Sequence, residues 1–224
     1  MSLRTKILLM IGLTFTVLCG SAALLLYQVV YGNLRQLEQR NLVNNIARLD
    51  EALNQQMFHL DLLTLDWSNW DEMYEYAALP NRKFELSNQN LRSLQTANYN
   101  VVAILRQNGR PVAYAQVVNG AYRFARELPP WAADFASRHH ADNWGGCGFV
   151  RSMQYPLQVC MRPIKASSAQ KKVANGWLLT ARVLDEERLT ALGKILKYPL
   201  ELLREPAVGV QWQNGPWDVG TVGV

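Results

Sequence analysis

The sequence is poor in the residues and motifs that enzymes and metalloproteins use. Its 224 residues include 3 histidines, and His59, His139 and His140 are too few and too isolated to suggest a metal site. It contains no Gly-rich phosphate loop and no Gly-x-Ser-x-Gly nucleophile motif. The sequence therefore predicts no enzyme, no metal and no cofactor in this segment. The alternative is an exported hydrolase that uses a carboxylate pair such as Asp66 and Asp71.

The sequence also lacks a concentrated stretch of one charge. Lys and Arg total 23 against 18 Asp and Glu, which gives a net charge of +5, but the basic residues are scattered and the longest run is Lys171-Lys172. Nucleic-acid-binding proteins usually gather their basic residues on one face. The charge pattern therefore predicts a solvated basic surface and no nucleic-acid partner.

Only one segment of the chain is long, apolar and uncharged. Residues 7–31 contain no Asp, Glu, Lys or Arg, and roughly 25 such residues exceed the ~20 that cross a bilayer as a helix. A cleaved signal peptide is the alternative, because Gly20-Ser21-Ala22-Ala23 resembles a cleavage site. However, the apolar run continues to Val30, and Cys19 follows Leu18 where a lipoprotein signal has a small residue. The sequence predicts an uncleaved transmembrane helix at 7–31.

The flanks of this segment predict its orientation. Arg4 and Lys6 precede it without an acidic residue, whereas Arg35 and Arg40 beyond it are mixed with acidic residues. The positive-inside bias then places a tail of residues 1–6 in the cytoplasm and the rest of the chain outside. We expect a single-pass protein of the inner or plasma membrane with a periplasmic or extracellular domain.

The exported part begins with a long helical pattern. Apolar residues recur at steps of three and four from Ile46 to Tyr74, and neither Pro nor Gly occurs between Asn33 and Leu79. The pattern predicts one uninterrupted helix. Its first part, residues 32–59, has a narrow apolar stripe and many polar residues, which predicts a stalk that pairs with a second copy as a homodimer. Packing on its own domain is the alternative.

After Pro80 and a second, polar helical pattern between Phe84 and Leu94, the sequence predicts a sheet. Apolar runs and tight turns at Asn108-Gly109 and Asn119-Gly120 predict successive strands. The predicted strands are 100–107, 111–118, 122–126, 149–152, 157–164 and 177–184, with edge strands at 200–203 and 208–212. Short helices are predicted at 131–139 and 186–196, and a loop at Gly145, Gly146 and Gly148.

These elements predict an α+β fold. Strands joined by short turns form a mostly antiparallel sheet, and the long helix packs against one of its faces. We expect one exported domain over residues 60–213, followed by a loop-like end at 214–224. That end suggests a chain truncated before a second membrane span.

Two cysteines lie in the exported part. Cys147 and Cys160 flank a turn-like segment from Met153 to Pro156, so paired strands would bring them together. An oxidising compartment permits a disulfide there. Two free thiols are equally compatible with the spacing.

The segment from Asp66 to Tyr76 is the densest in aromatic and acidic residues. On an uninterrupted helix its key residues fall at i, i+3, i+4 and i+7 and share one face: Trp67, Trp70, Asp71 and Tyr74. Such a face predicts a wall for an amphipathic ligand or a cation. The alternative is that the aromatic rings belong to the core and Asp71 caps or pairs with a neighbour.

The same segment resembles the signature of the extracellular CHASE sensor domain of the fourth type, approximately Asp-Trp-Ala-x-Trp-Asp-Asp-Thr-Tyr-x-Phe. Matching residues are Asp66, Trp67, Trp70, Asp71 and Tyr74, and replacements are Ser68, Glu72, Met73 and Tyr76. Weaker similarities occur at Asn108-Gly109, at Arg162-Pro163-Ile164, and from Gly176-Trp177-Leu178 to Arg182-Val183-Leu184-Asp185. The resemblance covers residues 60–205.

The resemblance implies a PAS- or Cache-like module that senses a small-molecule ligand outside the cell. Ligand binding would shift the long helix and act through the membrane on a diguanylate cyclase, phosphodiesterase or histidine kinase absent from this chain. It implies ligand contacts from the five matching residues. Arg162 and Arg182 would attract an anionic ligand, or else pair with Asp66 or Asp71. The alternative function is a membrane-anchored periplasmic binding or assembly protein without signalling output.

Overall fold

A computed structural model describes residues 3–118, 120–140, 145–151, 155–167, 173–201, 212–214 and 221–223. The chain divides into two units, residues 1–49 and residues 50–224. One helix, α1 (Leu3–Ser68), begins in the first unit and ends in the second.

The first unit contains the apolar segment. Lys6–Val30 is a helical stretch of 25 residues with a mean hydropathy of 2.2 and no buried residue, and it is long and apolar enough to cross a membrane. The hydroxyls of Thr14, Thr16 and Ser21 each donate to a backbone carbonyl one turn earlier. These bonds satisfy the polar side chains within the helix, as a bilayer requires.

The second unit is built on an antiparallel sheet of six strands in the order β3-β2-β1-β6-β5-β4. Its strands are β1 (Val101–Arg106), β2 (Pro111–Val118), β3 (Ala121–Ala125), β4 (Gly146–Arg151), β5 (Pro156–Ile164) and β6 (Gly176–Val183). A separate pair is formed by β7 (Trp212–Asn214) and β8 (Thr221–Gly223). The predicted antiparallel sheet and α+β class are confirmed.

Short helices connect and cover the strands. They are α2 (Asp71–Ala78), α3 (Arg82–Asn88), α4 (Leu91–Thr96), α5 (Pro130–His140) and α6 (Glu186–Leu196). Asn81, Asn90 and Asp185 cap α3, α4 and α6, because each side-chain oxygen accepts a backbone N–H three residues later. The short helix predicted at 186–196 is therefore confirmed as α6.

The sheet is buried on both faces. Met57, Leu60 and Trp67 of α1 pack with Leu178 of β6 in one core cluster, which also includes residues of α2, α3 and α4. Phe135 of α5 belongs to a second cluster on the opposite face. Because successive residues of a strand point to opposite faces, β6 presents Leu178, Thr180 and Arg182 toward α1.

The prediction of one uninterrupted helix to Leu79 is wrong. The structure ends α1 at Ser68, and Trp70 is extended (φ −75°, ψ 136°) before α2 begins. The Ser68 hydroxyl and the Asn69 side-chain amide both donate to the carbonyl oxygen of Leu65, at 2.8 and 2.9 Å. These side-chain bonds compete with the helical pattern and favour termination.

Four smaller predictions also need correction. The polar helix after Pro80 is two helices, α3 and α4. Gly146 and Gly148 lie in β4 and not in a loop. Leu200 and Glu201 are not in a strand, while 202–211, which hold the rest of 200–203 and most of 208–212, lie outside the described residues. The end predicted as loop-like contains β8 and the last residue of β7.

Candidate functional site

The two tryptophans of the signature meet at the end of α1. Trp67 is 8% exposed and stacks on half-buried Trp70, with ring centroids 5.0 Å apart. The Trp67 ring also meets the Tyr99 ring edge-on at 5.2 Å. Favourable aromatic pairs have these geometries. The two indoles and the Tyr99 ring therefore pack together at the end of α1, in the core between α1 and the sheet.

Because α1 ends at Ser68 and α2 begins at Asp71, the signature residues do not share one helical face. The prediction of a shared face is therefore wrong. Asp71 is exposed at the start of α2 and accepts the backbone N–H of Ser167 at 3.0 Å. Tyr74 is half-buried and packs against the α1-side core. Asp66 is exposed on α1. The aromatic residues thus join the core while both carboxylates reach the surface.

Arg162 pairs with a carboxylate that the sequence did not single out. Its Nε donates to Oδ1 of Asp61 at 2.6 Å, and its Nη2 donates to Oδ2 of the same residue. Of the two expectations for Arg162, the pairing with Asp66 or Asp71 is therefore not found, and the contact with an anionic ligand stays a prediction. A two-point guanidinium–carboxylate contact is strong and directional. It ties β5 to α1 one and a half turns before the signature.

The two exported cysteines form a disulfide. Cys147 of β4 and Cys160 of β5 stand opposite each other in the sheet, with Cα atoms 4.1 Å apart. Cys160 is fully buried, and its sulfur lies 3.8 Å from that of Met57 in α1. The sulfurs and an Asp61 oxygen lie within 4.8 Å of one another, but disulfide sulfurs are not the thiolates that bind metals.

Arg182 is a buried cation on the α1-facing side of β6. It is 5% exposed; its Nε donates to the Asn98 carbonyl oxygen at 3.0 Å, and its Nη2 has no hydrogen-bond partner among the described residues. Of the two expectations for Arg182, the pairing with Asp66 or Asp71 is not found among the described residues, and the contact with an anionic ligand stays a prediction. Burial lowers the pKa of Arg182, and the positive charge of Arg188 lowers it further.

Arg188 adds a second positive charge beside this site and forms no ion pair within 4 Å among the described residues. Its guanidinium donates to neutral oxygens of Asn98, Asn100 and Val183 at 2.5–2.7 Å. Burial lowers the pKa of Arg188, while the charges of Asp185 and Glu187 raise it. Arg182 itself has no ion-pair partner among the described residues.

Gln158 and Tyr99 bring further unpaired polar atoms to Arg182. Gln158 is fully buried in β5, directly opposite Arg182 in β6, and neither its amide nitrogen nor its oxygen has a partner among the described residues. The hydroxyl of Tyr99, which is 2% exposed, is likewise unpaired there. Burial raises the pKa of Tyr99, and the charge of Asp66 raises it too, whereas the charge of Arg182 lowers it. The nearby Thr64 hydroxyl also lowers this pKa, although the two hydroxyls do not meet the geometry of a hydrogen bond and Thr64 donates to Leu60 instead.

A pair of threonines joins α1 to β6 at the same place. The buried Thr64 hydroxyl donates to the Leu60 carbonyl oxygen at 2.7 Å. Thr180 therefore donates to the Thr64 oxygen, 2.5 Å away. We call Thr64, Tyr99, Gln158, Thr180 and Arg182 the buried polar cluster. Of these five residues, only Arg182 was predicted from the sequence. A Gln and a Thr in otherwise apolar strands were a signal that could have pointed to two more.

Known proteins are similar to the part of the chain that contains this site. The CHASE4 domain model matches residues 52–203. A search of curated proteins found no significant match. Among solved structures, the chain is similar to the domain of a protein described as sensory box/GGDEF family from Vibrio parahaemolyticus, with 14% identity and a TM-score of 0.50 over 71% of this chain. It is also similar to the extracellular domain described for histidine kinase vpHK1S-Z8, with 15% identity and a TM-score of 0.50 over 68% of this chain.

The two structural likenesses show the fold alone, and they cover 63% and 59% of those chains, less than two thirds of either. The family match extends over more than half of this chain and contains the signature, the disulfide and the buried polar cluster. The chain belongs to the CHASE4 family of sensor domains.

Proposed function

We propose that this chain is the extracytoplasmic ligand-sensing input of a membrane receptor, with residues 1–6 in the cytoplasm and the sensor domain outside. Family membership, the apolar segment Lys6–Val30 and the basic residues before it support the proposal. The domain acts by binding rather than by catalysis. The receptor's output is a cytoplasmic cyclase, phosphodiesterase or histidine kinase.

The buried polar cluster is the observation that carries the proposal. Four of its side-chain atoms lack hydrogen-bond partners among the described residues: Tyr99 Oη, Gln158 Nε2, Gln158 Oε1 and Arg182 Nη2. Leaving a buried polar atom unpaired costs about 1–3 kcal/mol, and more for a charged group. Grouping several of them destabilises the domain unless another molecule completes their bonds. A ligand at this place would do so.

The position of the cluster explains how binding could become a signal. Between Met57 and Trp67, α1 contacts the sheet through the Asp61–Arg162 ion pair and the Thr64–Thr180 hydrogen bond. A ligand that prefers one arrangement of these contacts shifts the population of α1 positions toward it. Because α1 also contains Lys6–Val30, this shift would be transmitted along one helix.

A homodimer through the membrane-proximal part of α1 completes the proposal. Leu42 and Val43 are 59% and 64% exposed. Leu42, Ile46, Leu49 and Leu53 follow alternating steps of four and three, the spacing of a coiled-coil seam. A second copy packed on this seam would cover Leu42.

Thermal-shift screening of the full chain in nanodiscs against small metabolites tests ligand sensing. We expect at least one compound to raise Tm in a saturable way, because a ligand that binds only the folded state stabilises it. We expect Trp70→Ala to reduce this response by removing the indole stacked on Trp67. A screen without any saturable response would refute ligand sensing at the concentrations used.

Fusions at Val224 test the orientation. We expect an alkaline phosphatase fusion to be active and a green fluorescent protein fusion to be dark in a bacterial host, because alkaline phosphatase needs an oxidising compartment to form its disulfides. Inversion of both signals would place the domain in the cytoplasm. Replacing Arg4 and Lys6 by Glu is the control, and should weaken the preference.

A further inference from the structure

We propose that the ligand is a small carboxylate carrying a neutral hydroxyl group, bound by Tyr99, Gln158 and Arg182. The inference rests on the proposed function and names the ligand class of the same site. It follows from the charge of Arg182, from the two donors beside each other and from the chemistry of the Gln158 amide.

The charge of Arg182 favours an anionic ligand. A buried guanidinium is costly unless it is paired with an opposite charge and fully hydrogen-bonded. Arg182 is 5% exposed, its Nε bonds only to a neutral carbonyl oxygen, and its Nη2 is unpaired among the described residues. Arg188 contributes a second positive charge, also held by neutral oxygens. A bound anion would neutralise this region.

The second donor makes a carboxylate the anion that fits. Tyr99, whose hydroxyl is unpaired among the described residues, is a neighbour of Arg182, because the Arg182 Nε bonds to the carbonyl oxygen of Asn98, the preceding residue. A tyrosine keeps its proton at neutral pH, and burial raises the pKa of Tyr99 further, so the phenol remains a donor. Arg182 Nη2 and Tyr99 Oη together supply donors for the two oxygens of one carboxylate.

Gln158 determines the second group of the ligand. Its side chain stands directly opposite that of Arg182 on adjacent strands, a separation of about 5 Å between Cβ atoms. Its unpaired amide offers one donor group and one acceptor. A hydroxyl, which both donates and accepts, complements it. An ammonium group does not fit as well, since the two guanidinium groups repel it.

The packing around the cluster limits the size of the ligand. The Thr64–Thr180 hydrogen bond holds α1 against β6 on one side, and the Trp67 ring meets Tyr99 on the other. All five cluster residues are at most 5% exposed. Only a molecule of a few heavy atoms is compatible with this degree of burial, and its entry would require Trp67 and Trp70 to move.

The test uses the full chain in nanodiscs with L-lactate and glycolate as probes. Acetate lacks the hydroxyl, L-alanine replaces it by an ammonium group, and inorganic phosphate is a different anion. We expect L-lactate or glycolate to raise Tm saturably, to change tryptophan emission, and to bind about tenfold more tightly than acetate or L-alanine by calorimetry, the loss expected for one hydrogen bond in a buried site.

Two substitutions separate binding from folding. Arg182→Met keeps the apolar stem and removes the unpaired charge, so we expect an equal or higher Tm without ligand and no response to the probes. Tyr99→Phe keeps the ring contact with Trp67 and should weaken binding about tenfold. Tyr114→Phe is the matched control, because its hydroxyl donates to Gln116 and its ring lies in the opposite core.

The outcomes distinguish the two proposals. Tight binding of L-alanine or phosphate, or a probe response that survives Arg182→Met and Tyr99→Phe, overturns the hydroxycarboxylate inference. If carboxylates have no effect while another metabolite raises Tm, the inference fails and ligand sensing stands. If Arg182→Met does not fold, Tyr99→Phe against Tyr114→Phe decides the matter.

Discussion

The ion pair between Arg162 and Asp61 is the residue-level contact that fixes α1 on the sheet. Both side chains are partly buried, with 25% and 19% of their surface exposed. The guanidinium makes two bonds to one carboxylate. Such a pair is worth more than an exposed ion pair because its geometry is fixed and its screening by water is reduced.

Removing one member of this pair should destabilise the sensor domain. We expect Asp61→Asn to lower the free energy of unfolding by about 1–3 kcal/mol, since it removes the carboxylate charge that accepts two bonds from Arg162. Chemical denaturation of the full chain measures the effect. Asp134→Asn is the control, because it removes an exposed pair with Arg138 worth less than about 0.5 kcal/mol. Equal losses in the two variants would contradict the assigned role.

Buried tyrosines predict a loss of stability at high pH. Burial raises the pKa of Tyr114 from 10.0 to about 12. Between these values the unfolded chain has released the phenol proton and the folded chain has kept it, so stability is complete below pH 10 and falls toward pH 12. We expect Tyr114→Phe to reduce the slope of unfolding free energy against pH by up to about 1.4 kcal/mol per pH unit. An unchanged slope would contradict this assignment.

At the residue scale, the sequence predicted some side chains of the site and missed others. The signature tryptophans were identified from local spacing, and the structure brings them together. The partner of Arg162 was missed because Asp61 lies 101 residues away and nothing in the spacing marks it. Gln158 was missed because only the strand register places it opposite Arg182.

At the scale of elements, the disulfide fastens the edge strand β4 to β5. The two cysteines are separated by 13 residues, and β4 has a strand neighbour only on that side of the six-stranded sheet. A cross-link of this loop length limits the freedom of the unfolded chain.

Removing the cross-link should loosen this edge of the sheet. We expect the double variant Cys147→Ala and Cys160→Ala to lose about 3 kcal/mol of unfolding free energy, with faster hydrogen exchange in β4 than in β1. Cys19→Ala is the control, since Cys19 is an exposed free cysteine. Denaturation of the unsubstituted chain with and without reductant provides a second measurement. Uniformly faster exchange in both strands would contradict a local role.

The elements themselves were largely predictable. The Asn108-Gly109 turn and the apolar runs on both sides of it predicted the hairpin of β1 and β2, and the helix predicted at 131–139 is α5. The end of α1 was not predictable from periodicity, because the helical spacing of apolar residues continues across Ser68 into α2. Two side-chain hydrogen bonds to Leu65 decide it instead.

At the scale of the whole molecule, the proposed homodimer predicts a periodic pattern of contacts between two copies. In membranes, in a Cys19→Ala background, we expect single cysteines at Leu42, Ile46 and Leu49 to cross-link two chains. A cysteine at Val43 is the control, because Val43 lies off the seam and, at 64% exposed, is at least as accessible as Leu42 at 59% and more so than half-buried Ile46 and Leu49. The three seam positions should cross-link and Val43 should not, because only residues at the three- and four-residue steps of a coiled-coil seam face the second chain. Uniform cross-linking at all four positions would indicate random collision rather than a seam.

The non-helical residues Asn69 and Trp70 make the connection between α1 and α2 easier to deform than a continuous helix. If α1 and α2 were one rigid rod, any axial displacement of α1 would drag α2 and the core beneath it. With Trp70 extended, the torsions of two residues absorb such a displacement, because rotations about φ and ψ cost little within allowed regions. In the proposed signal, a ligand that alters the contacts between α1 and the sheet would then shift α1 without displacing α2. The stacked indoles at the break lie where the relative motion would be greatest, so their fluorescence would report the stroke.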